Sequence, residues 1–414
     1  MRIDTLAQDT AASLKTSWYL LGPAFVAAIA YVDPGNVAAN VSAGAQYGYL
    51  LLWVIVVANV LAGLVQYLSA KLGLVTGRSL PSAIGKQMNR PLRLAFWVQA
   101  ELVAIATDAA EVVGGAIALH ILFGLPLLVG GIITGVVSLL LLTLQDRRGQ
   151  IIFERVITGL LAVIAVGFAA SFFVATPPPD AVLGGLVPRF HGAETVLLAA
   201  AILGATVMPH AVYMHSGLVL DRHGHPEEGQ RRRLLLRVTR VDVVLAMAVA
   251  GTVNAAMLLI AAINLQDRDV SASIEGAYTA IHSTLGTTIA VLFAIGLLAS
   301  GLASSSVGAY AGAMIMQGLL HRRVPMVVRR LVTLCPALAI LALGFDPTRA
   351  LVLSQVVLSF GIPFAVLPLV MLTSNRKLMG KDTNHPVTTV LGWAVALLVS
   401  VLNVVLIYLT VKGM

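Results

Sequence analysis

Long apolar stretches recur along this chain, separated by short polar segments. A helix needs about 20 mostly apolar residues to cross a bilayer, and most of these stretches reach that length. The pattern predicts an all-α integral membrane protein with eleven spans in a single domain, residues 18–414. The spans are predicted at 18–45, 49–70, 94–121, 125–144, 151–175, 195–219, 242–265, 287–318, 330–344, 350–373 and 387–411. The longest polar stretch, Asp221 to Arg240, is predicted to be a solvated basic loop.

The composition agrees with a lipid environment. Of 414 residues, 58% are hydrophobic and 11% are charged, whereas soluble domains carry roughly 25% charged residues. So few charges could not cover a water-facing surface of this size. Residues 1–17 lack the apolar middle of a cleavable signal, so they are predicted to form a cytoplasmic tail. The single cysteine, Cys335, excludes an internal disulfide and a thiolate metal cluster.

The lysines and arginines predict an orientation. If the N-terminus is cytoplasmic, all but four of the 27 basic residues fall on the cytoplasmic side. The four exceptions are Arg189, Arg268, Arg349 and Lys412. The positive-inside rule therefore predicts a cytoplasmic N-terminus and an extracytoplasmic C-terminus. The same distribution accounts for the net charge of +8 without nucleic acid as a partner.

Two predicted spans contain a helix-breaking sequence at mid-membrane. The first span has Asp33-Pro34-Gly35-Asn36, and the sixth has Met208-Pro209-His210. Proline removes a backbone donor and clashes with the preceding turn. Freed backbone groups are tolerated at this depth only where they face protein or a water-filled cavity. Each proline taken alone is also compatible with an ordinary membrane-helix kink.

The two breaks occupy matching positions, because the first span opens one set of five and the sixth opens the next. Five is an odd number, so the second set would run inverted relative to the first. Interrupted helices at corresponding positions of two halves indicate a transporter with a midplane site. The repeats are predicted at about 18–175 and 195–373, and the helix at about 387–411 would be an addition.

The polar groups at the breaks favour a cation. A buried charge is costly in a bilayer, so Asp33 is a functional candidate. Asn36 and uncoiled carbonyls such as those of Ala30 and Ala205 would add neutral oxygens. Met208 could supply a soft thioether ligand, which favours transition metals over Mg²⁺ and Ca²⁺. Chemistry alone leaves core packing as an equal alternative for this methionine.

Acidic residues also line one face of the third span. Glu101, Asp108 and Glu111 are spaced by seven and three residues, which places them on one helix face. Such a stripe indicates a proton or cation path. The alternatives are an interfacial position for Glu101, and structural pairing of Asp108 and Glu111 with Arg329 or Arg330.

Two histidines follow the break in the sixth span, His210 and His215. Because histidine titrates near neutral pH, both are predicted to handle protons or to form hydrogen bonds rather than to bind metal.

These motifs resemble the Nramp family of proton-coupled divalent metal transporters, and the resemblance covers nearly the whole chain. It rests on Asp33 to Asn36, on Met208 to His210 with His215-Ser216, and on the serine-rich run from Ala299 to Ser306. The resemblance implies a LeuT-like fold, with two inverted five-helix repeats, broken first and sixth helices, and an eleventh helix. Many relatives have Asn after Met-Pro-His, whereas this chain has Ala211.

The resemblance also implies residue roles. Asp33, Asn36 and Met208 would bind metal with carbonyl help from Ala30 or Ala205, and Gln355 would join the site when it occludes. His210, Asp108 and Glu111 match positions tied to proton movement. Arg329 and Arg330 match a basic pair at the inner end of that path. Met208 favours Mn²⁺ or Fe²⁺, because the related magnesium carriers lack this methionine.

The expected function is proton-coupled import of Mn²⁺ and Fe²⁺ by alternating access, in a bacterial inner membrane. The metal would be substrate rather than cofactor, and no obligate protein partner is expected. A sodium-coupled amino acid carrier, a magnesium-selective relative and a passive channel are the alternatives. An enzyme is not expected, because the chain has no His-Glu-x-x-His pair, and it lacks the phosphate-binding loop of a primary pump.

Overall fold

The computed structural model describes residues 22–148, 150–172, 177–266, 273–320 and 326–412, and within these ranges it is built from helices. Helices lie at all eleven positions predicted for spans. Seven described helices, counting the broken sixth span as one, are long and apolar enough to cross a membrane. The predicted tail, residues 1–17, lies outside the described residues.

The helices are numbered here in chain order. They are α1 Pro23–Ile29, α2 Pro34–Tyr47, α3 Leu52–Thr76, α4 Leu80–Gln87, α5 Arg90–Phe123, α6 Leu127–Arg148, α7 Gln150–Phe172, α8 Pro179–Gly185, α9 Ala193–Thr206, α10 Pro209–His223, α11 Gln230–Leu265, α12 Ile274–Leu285, α13 Thr287–Leu320, α14 Met326–Ala342, α15 Pro347–Thr373, α16 Arg376–Met379 and α17 Pro386–Lys412. Two 3-10 turns, Ala30–Val32 and Gly380–Asp382, complete the described elements.

Prolines set the start of several helices. Pro23, Pro34, Pro209 and Pro347 each occupy the first helical position. The fixed φ angle of proline suits this position, where its missing N–H group would have no partner within the helix. The two mid-membrane prolines therefore begin new helices, α2 and α10, and do not merely kink continuous ones.

One boundary prediction is wrong. The polar stretch from Asp221 to Arg240 was expected to be a loop, but α11 begins at Gln230 and includes its second half. The reason is that arginine and leucine have high helix propensity, and residues 230–240 consist largely of these two. The first three turns of α11 are therefore helical and basic.

Long helices surround the two breaks. Helix α5 packs along α13, α2 along α11, and α9 along α15. The 3-10 turn at Ala30–Val32 contacts α9, and α2 contacts α9 as well. This packing brings the first and sixth spans together at their breaks, deep inside the helix bundle.

Candidate metal site

The first break is organised by Asp33. Its backbone is extended, with φ −69° and ψ 167°, and its carboxylate caps α2 by accepting a hydrogen bond from the Asn36 N–H at 2.7 Å. Asp33 and Asn36 are fully buried. A side-chain oxygen at the N-cap satisfies a donor that the helix cannot, so the break itself holds this carboxylate in place.

The freed carbonyls of the first break have partners from other spans. Asn254 of α11 donates its side-chain amide to Tyr31 O at 2.8 Å. Ser300 of α13 donates its hydroxyl to Val32 O at 2.5 Å. Irregular backbone at this depth is therefore satisfied by protein, as the bilayer requires. Ala30 is buried at the start of the 3-10 turn.

The second break is joined directly to the first. The Asn36 side-chain amide donates to Ala205 O at 2.8 Å. The carbonyl of Ala205, expected to be a free metal ligand, is thus engaged in this conformation. Met208 is fully buried and is the residue immediately before α10, with φ −58° and ψ 119°. The structure brings Asp33, Asn36 and Ala205 together, and Met208 lies three residues beyond Ala205 on the same broken span.

Gln355 of α15 completes this group. Its amide nitrogen lies 3.4 Å from Asp33 Oδ2 and donates to it. A Cβ atom added at Gly35 would overlap the Gln355 side chain, and one at Gly204 would overlap the Gln355 carbonyl. These two glycines therefore allow α15 to approach both breaks. Sequence reasoning reached Gln355 only through the family resemblance, and it overlooked Gly204.

Two amide oxygens in this group have no hydrogen-bond partner among the described residues. They are Asn36 Oδ1 and Gln355 Oε1, and both are buried. A buried acceptor without a donor is costly. A cation that bound these oxygens together with the Asp33 carboxylate would remove this cost, and carboxylate with amide oxygen is a cation-binding donor set.

The predicted acidic stripe lies on α5, beside the breaks. A Cβ atom at Gly114 would overlap the Pro34 ring, so α5 touches the first break one turn beyond Glu111. Glu111 is 1% exposed, and neither of its carboxylate oxygens has a hydrogen-bond partner in the described part of the chain. Both Glu111 and Asp108 face Gly308 of α13.

Both arginines of the predicted basic pair reach this stripe. Arg330 Nη1 lies 2.8 Å from Asp108 Oδ1, and Arg329 Nε lies 3.3 Å from Glu101 Oε1. Arg330 also donates to Ser138 Oγ at 2.8 Å and to Ser305 Oγ. The pairing considered as an alternative for Asp108 is therefore present, whereas Glu111 forms no ion pair with any residue in the described part of the chain.

The two histidines contact different neighbours. His210 Nδ1 lies 3.4 Å from Thr107 Oγ1 of α5, next to Asp108. His215 Nδ1 donates to Gln66 Oε1 of α3 at 2.5 Å. Nε2 of each histidine is buried and has no hydrogen-bond partner among the described residues. His210 thus connects the second break to the acidic stripe, and His215 lies outside that connection.

Sequence reasoning missed several supporting residues. Thr107 contacts His210, Ser138 contacts Arg330, and Gly114 lets α5 meet Pro34. The paired glycines at 114 and 115 carried a usable signal, because small residues mark close helix contacts in membranes. Ser138 carried none, since serine is common in membrane helices, whereas Ser305 lies in the serine-rich run from Ala299 to Ser306 that supports the family resemblance, and it contacts Arg330.

Comparison with known proteins identifies the group to which this fold and site belong. The family model described as "Natural resistance-associated macrophage protein-like" matches residues 24–409. The chain belongs to the Nramp family. It is similar to the divalent metal cation transporter MntH of Mycobacterium leprae, with 78% identity over 99% of this chain and 96% of that protein.

Solved structures agree with the Nramp assignment. The Eremococcus coleocola manganese transporter, crystallised with an aromatic bis-isothiourea substituted compound, has a TM-score of 0.85 and 31% identity. The match covers 95% of this chain and 86% of that one. Mhp1, a nucleobase-cation-symport-1 family transporter, has a TM-score of 0.54 at 15% identity over 95% and 93% of the two chains. This second likeness concerns the fold alone, and with the first it confirms the predicted LeuT-like class.

Proposed function

We propose that this Nramp chain imports divalent transition metal ions, Mn²⁺ and Fe²⁺, together with protons by alternating access. The supporting observation is the convergence of Asp33, Asn36 and Gln355 at two joined helix breaks, with two amide oxygens left without donors. The high identity to a protein named as a divalent metal cation transporter supports the same assignment. Transport of metal is a non-enzymatic function.

The metal would bind as substrate between the breaks. Asp33 supplies the only carboxylate in the group, and Asn36 and Gln355 supply amide oxygens. Met208 supplies a thioether, and the carbonyls of Ala30 and Ala205 become available when the breaks rearrange. Rocking of one repeat, at about 18–175, against the other, at about 195–373, would expose this site to each side in turn.

Protons would use the stripe on α5. Glu111 is buried one turn from the contact between Gly114 and Pro34, and its oxygens accept no hydrogen bond from the residues that the structure describes. His210 lies between the second break and Thr107. A proton released near Asp33 when metal binds could therefore move through Glu111, His210 and Asp108 toward Glu101, Arg329 and Arg330. His215 would instead keep a separate hydrogen bond, with Gln66.

The proposed setting is a bacterial inner membrane, with the N-terminus cytoplasmic. The alternatives for the substrate are an amino acid with sodium, or Mg²⁺. A substrate carboxylate would be repelled by Asp33, which is why a cation is favoured. Uptake into proteoliposomes, with Mn²⁺, Fe²⁺, Cd²⁺, Mg²⁺, Ca²⁺ and amino acids as competitors, tests this directly. Competition by amino acids, or by Mg²⁺ as strongly as by Cd²⁺, would contradict the proposal.

An imposed proton gradient should accelerate uptake. We expect Mn²⁺ uptake to rise severalfold when the outside is acidic relative to the lumen, and to acidify the lumen as metal enters. A passive channel would respond only to the metal gradient and membrane potential. The control is the same proton gradient with the potential clamped by a potassium ionophore. Equal uptake with and without the proton gradient would rule out coupling.

Met208→Ala should change selectivity more than it changes folding. Removing the thioether leaves an oxygen-only donor set, which suits hard cations. We expect Mn²⁺ uptake to be partly retained and Ca²⁺ or Mg²⁺ to become substrates. Met214→Ala is a matched control, because Met214 is also fully buried in α10 but lies almost two turns from the break. The same selectivity in both variants and the wild type would contradict a ligand role for Met208.

A further inference from the structure

The first three turns of α11 carry arginines on one exposed stripe. Arg233, Arg237 and Arg240 are exposed and are followed on the same face by the exposed residues Val244 and Ala248. With 3.6 residues per turn, these five positions lie within a narrow arc of the helix surface. The stripe thus changes from cationic to apolar within about one turn. Such a change marks the level at which a helix passes from headgroups into hydrocarbon.

No ion pair among the described residues neutralises the charge of this stripe. Arg233 and Arg237 form no ion pair among the described residues. Two acidic groups near Arg233 have other ion-pair partners: Asp382 lies 3.4 Å from Arg232, and Glu228 lies 3.1 Å from Lys381. Asp242 is buried and accepts hydrogen bonds from the backbone N–H groups of Gly22 and Ala24. Two arginines on one exposed face are therefore left available to an outside anion.

The third arginine is held against the neighbouring helix. Arg240 lies over the Tyr67 ring of α3, 5.2 Å from its centroid, with Nη2 3.5 Å from the Tyr67 hydroxyl. Tyrosine and arginine side chains are favoured together at membrane interfaces. Val60 of α3 and Val244 of α11 lie nearer the bilayer centre than these side chains. They are 67% and 61% exposed, respectively. The two helices, joined by the hydrogen bond from Asn59 Nδ2 to Met247 O, present apolar surface next to the arginines.

We propose that Arg233, Arg237 and Arg240 bind the headgroup of an acidic phospholipid, whose acyl chains lie on the apolar surface of α3 and α11. Guanidinium groups pair with phosphate in a bidentate geometry, which lysine cannot match. The apolar continuation of the stripe selects a lipid over a soluble phosphate. Under the predicted orientation this lipid belongs to the cytoplasmic leaflet. The site is separate from the proposed metal site and does not depend on which ion is transported.

Native mass spectrometry of the full-length protein in detergent tests this site. The probes are phosphatidylglycerol and phosphatidylcholine with identical acyl chains. An arginine at an anionic surface contributes about 1 kcal/mol, or roughly a fivefold change in affinity. We expect the wild type to prefer phosphatidylglycerol by at least about tenfold. The triple variant R233Q/R237Q/R240Q should lose that preference, and R237Q alone should lower it by about fivefold.

A matched control separates the stripe from general charge. The variant R231Q/R349Q/R376Q removes three exposed arginines located elsewhere and should keep the preference. Equal loss in both triple variants, or no preference in the wild type, would overturn the proposal. Displacement of the lipid by excess inorganic phosphate would also overturn it, because that result would identify a phosphate site without a role for acyl chains. Thermal unfolding of each variant checks that all are folded.

Discussion

Asp33→Asn should abolish metal uptake while leaving the protein folded. Asparagine is nearly isosteric with aspartate and is an equally good N-cap residue, so the hydrogen bond from the Asn36 N–H can persist. The variant lacks the one carboxylate of the site. Removing a buried charged partner typically costs about 2–5 kcal/mol, which is roughly thirtyfold to several thousandfold in affinity. We expect Mn²⁺ uptake into proteoliposomes to fall to background.

A matched control for this variant is Asp346→Asn. Asp346 caps α15 as Asp33 caps α2, with its carboxylate accepting from the Arg349 N–H, but it is exposed. The same chemical change there should leave Mn²⁺ uptake within about twofold of the wild type. Isothermal titration with Mn²⁺ adds a readout that is independent of transport. Normal Mn²⁺ affinity in Asp33→Asn would refute the placement of the site.

The breaks could be predicted from sequence because their signal is local. Proline within an apolar stretch, next to Asp33 or Met208, contradicts a continuous buried helix whatever surrounds it. That the two breaks share one midplane site could also be predicted, from their matching positions in two inverted halves. The hydrogen bond from Asn36 to Ala205 could not be predicted, because it joins residues 169 positions apart, and one sequence contains no direct record of such a pair.

The acidic stripe on α5 shows a second limit of prediction from the sequence. Helical periodicity correctly placed Glu101, Asp108 and Glu111 on one face of α5, since that follows from 3.6 residues per turn. Periodicity could not say which of them forms an ion pair. The structure pairs Asp108 with Arg330 and Glu101 with Arg329, whereas Glu111 forms no ion pair among the described residues. The carboxylates of Asp108 and Glu111 therefore have different surroundings. Only the packing of α13 and α14 against α5 determines which of them forms an ion pair.

The prediction of a loop at the start of α11 was wrong because two local signals disagreed. Charge suggested a loop, but helix propensity favoured continuation of the helix, and the structure has helix from Gln230. A polar segment next to a membrane span can be a loop or a helix, because water can hydrogen-bond to the backbone groups that either one leaves free. This outcome matters for function, since only a helix arranges Arg233, Arg237 and Arg240 on one stripe.

Arg330→Met should strongly destabilise the protein. Arg330 is 1% exposed, and the substitution removes its ion pair with Asp108 and its hydrogen bonds to Ser138 and Ser305. Breaking a buried pair by removing one partner leaves an uncompensated charge and costs about 3–5 kcal/mol. We expect a clear decrease in the unfolding temperature in detergent. Arg231→Met, at an exposed position of α11, should change stability by less than about 0.5 kcal/mol.

The double variant R330M/D108L separates structure from proton movement. Replacing a buried ion pair by apolar residues of similar volume is often neutral or stabilising, so we expect most of the lost stability to return. If Asp108 carries protons, the double variant should bind Mn²⁺ normally but fail to acidify the lumen during uptake. Recovery of stability together with full proton-driven uptake would mean that the pair only supports the fold. Proton movement would then rest on Glu111, which forms no ion pair with any of the described residues.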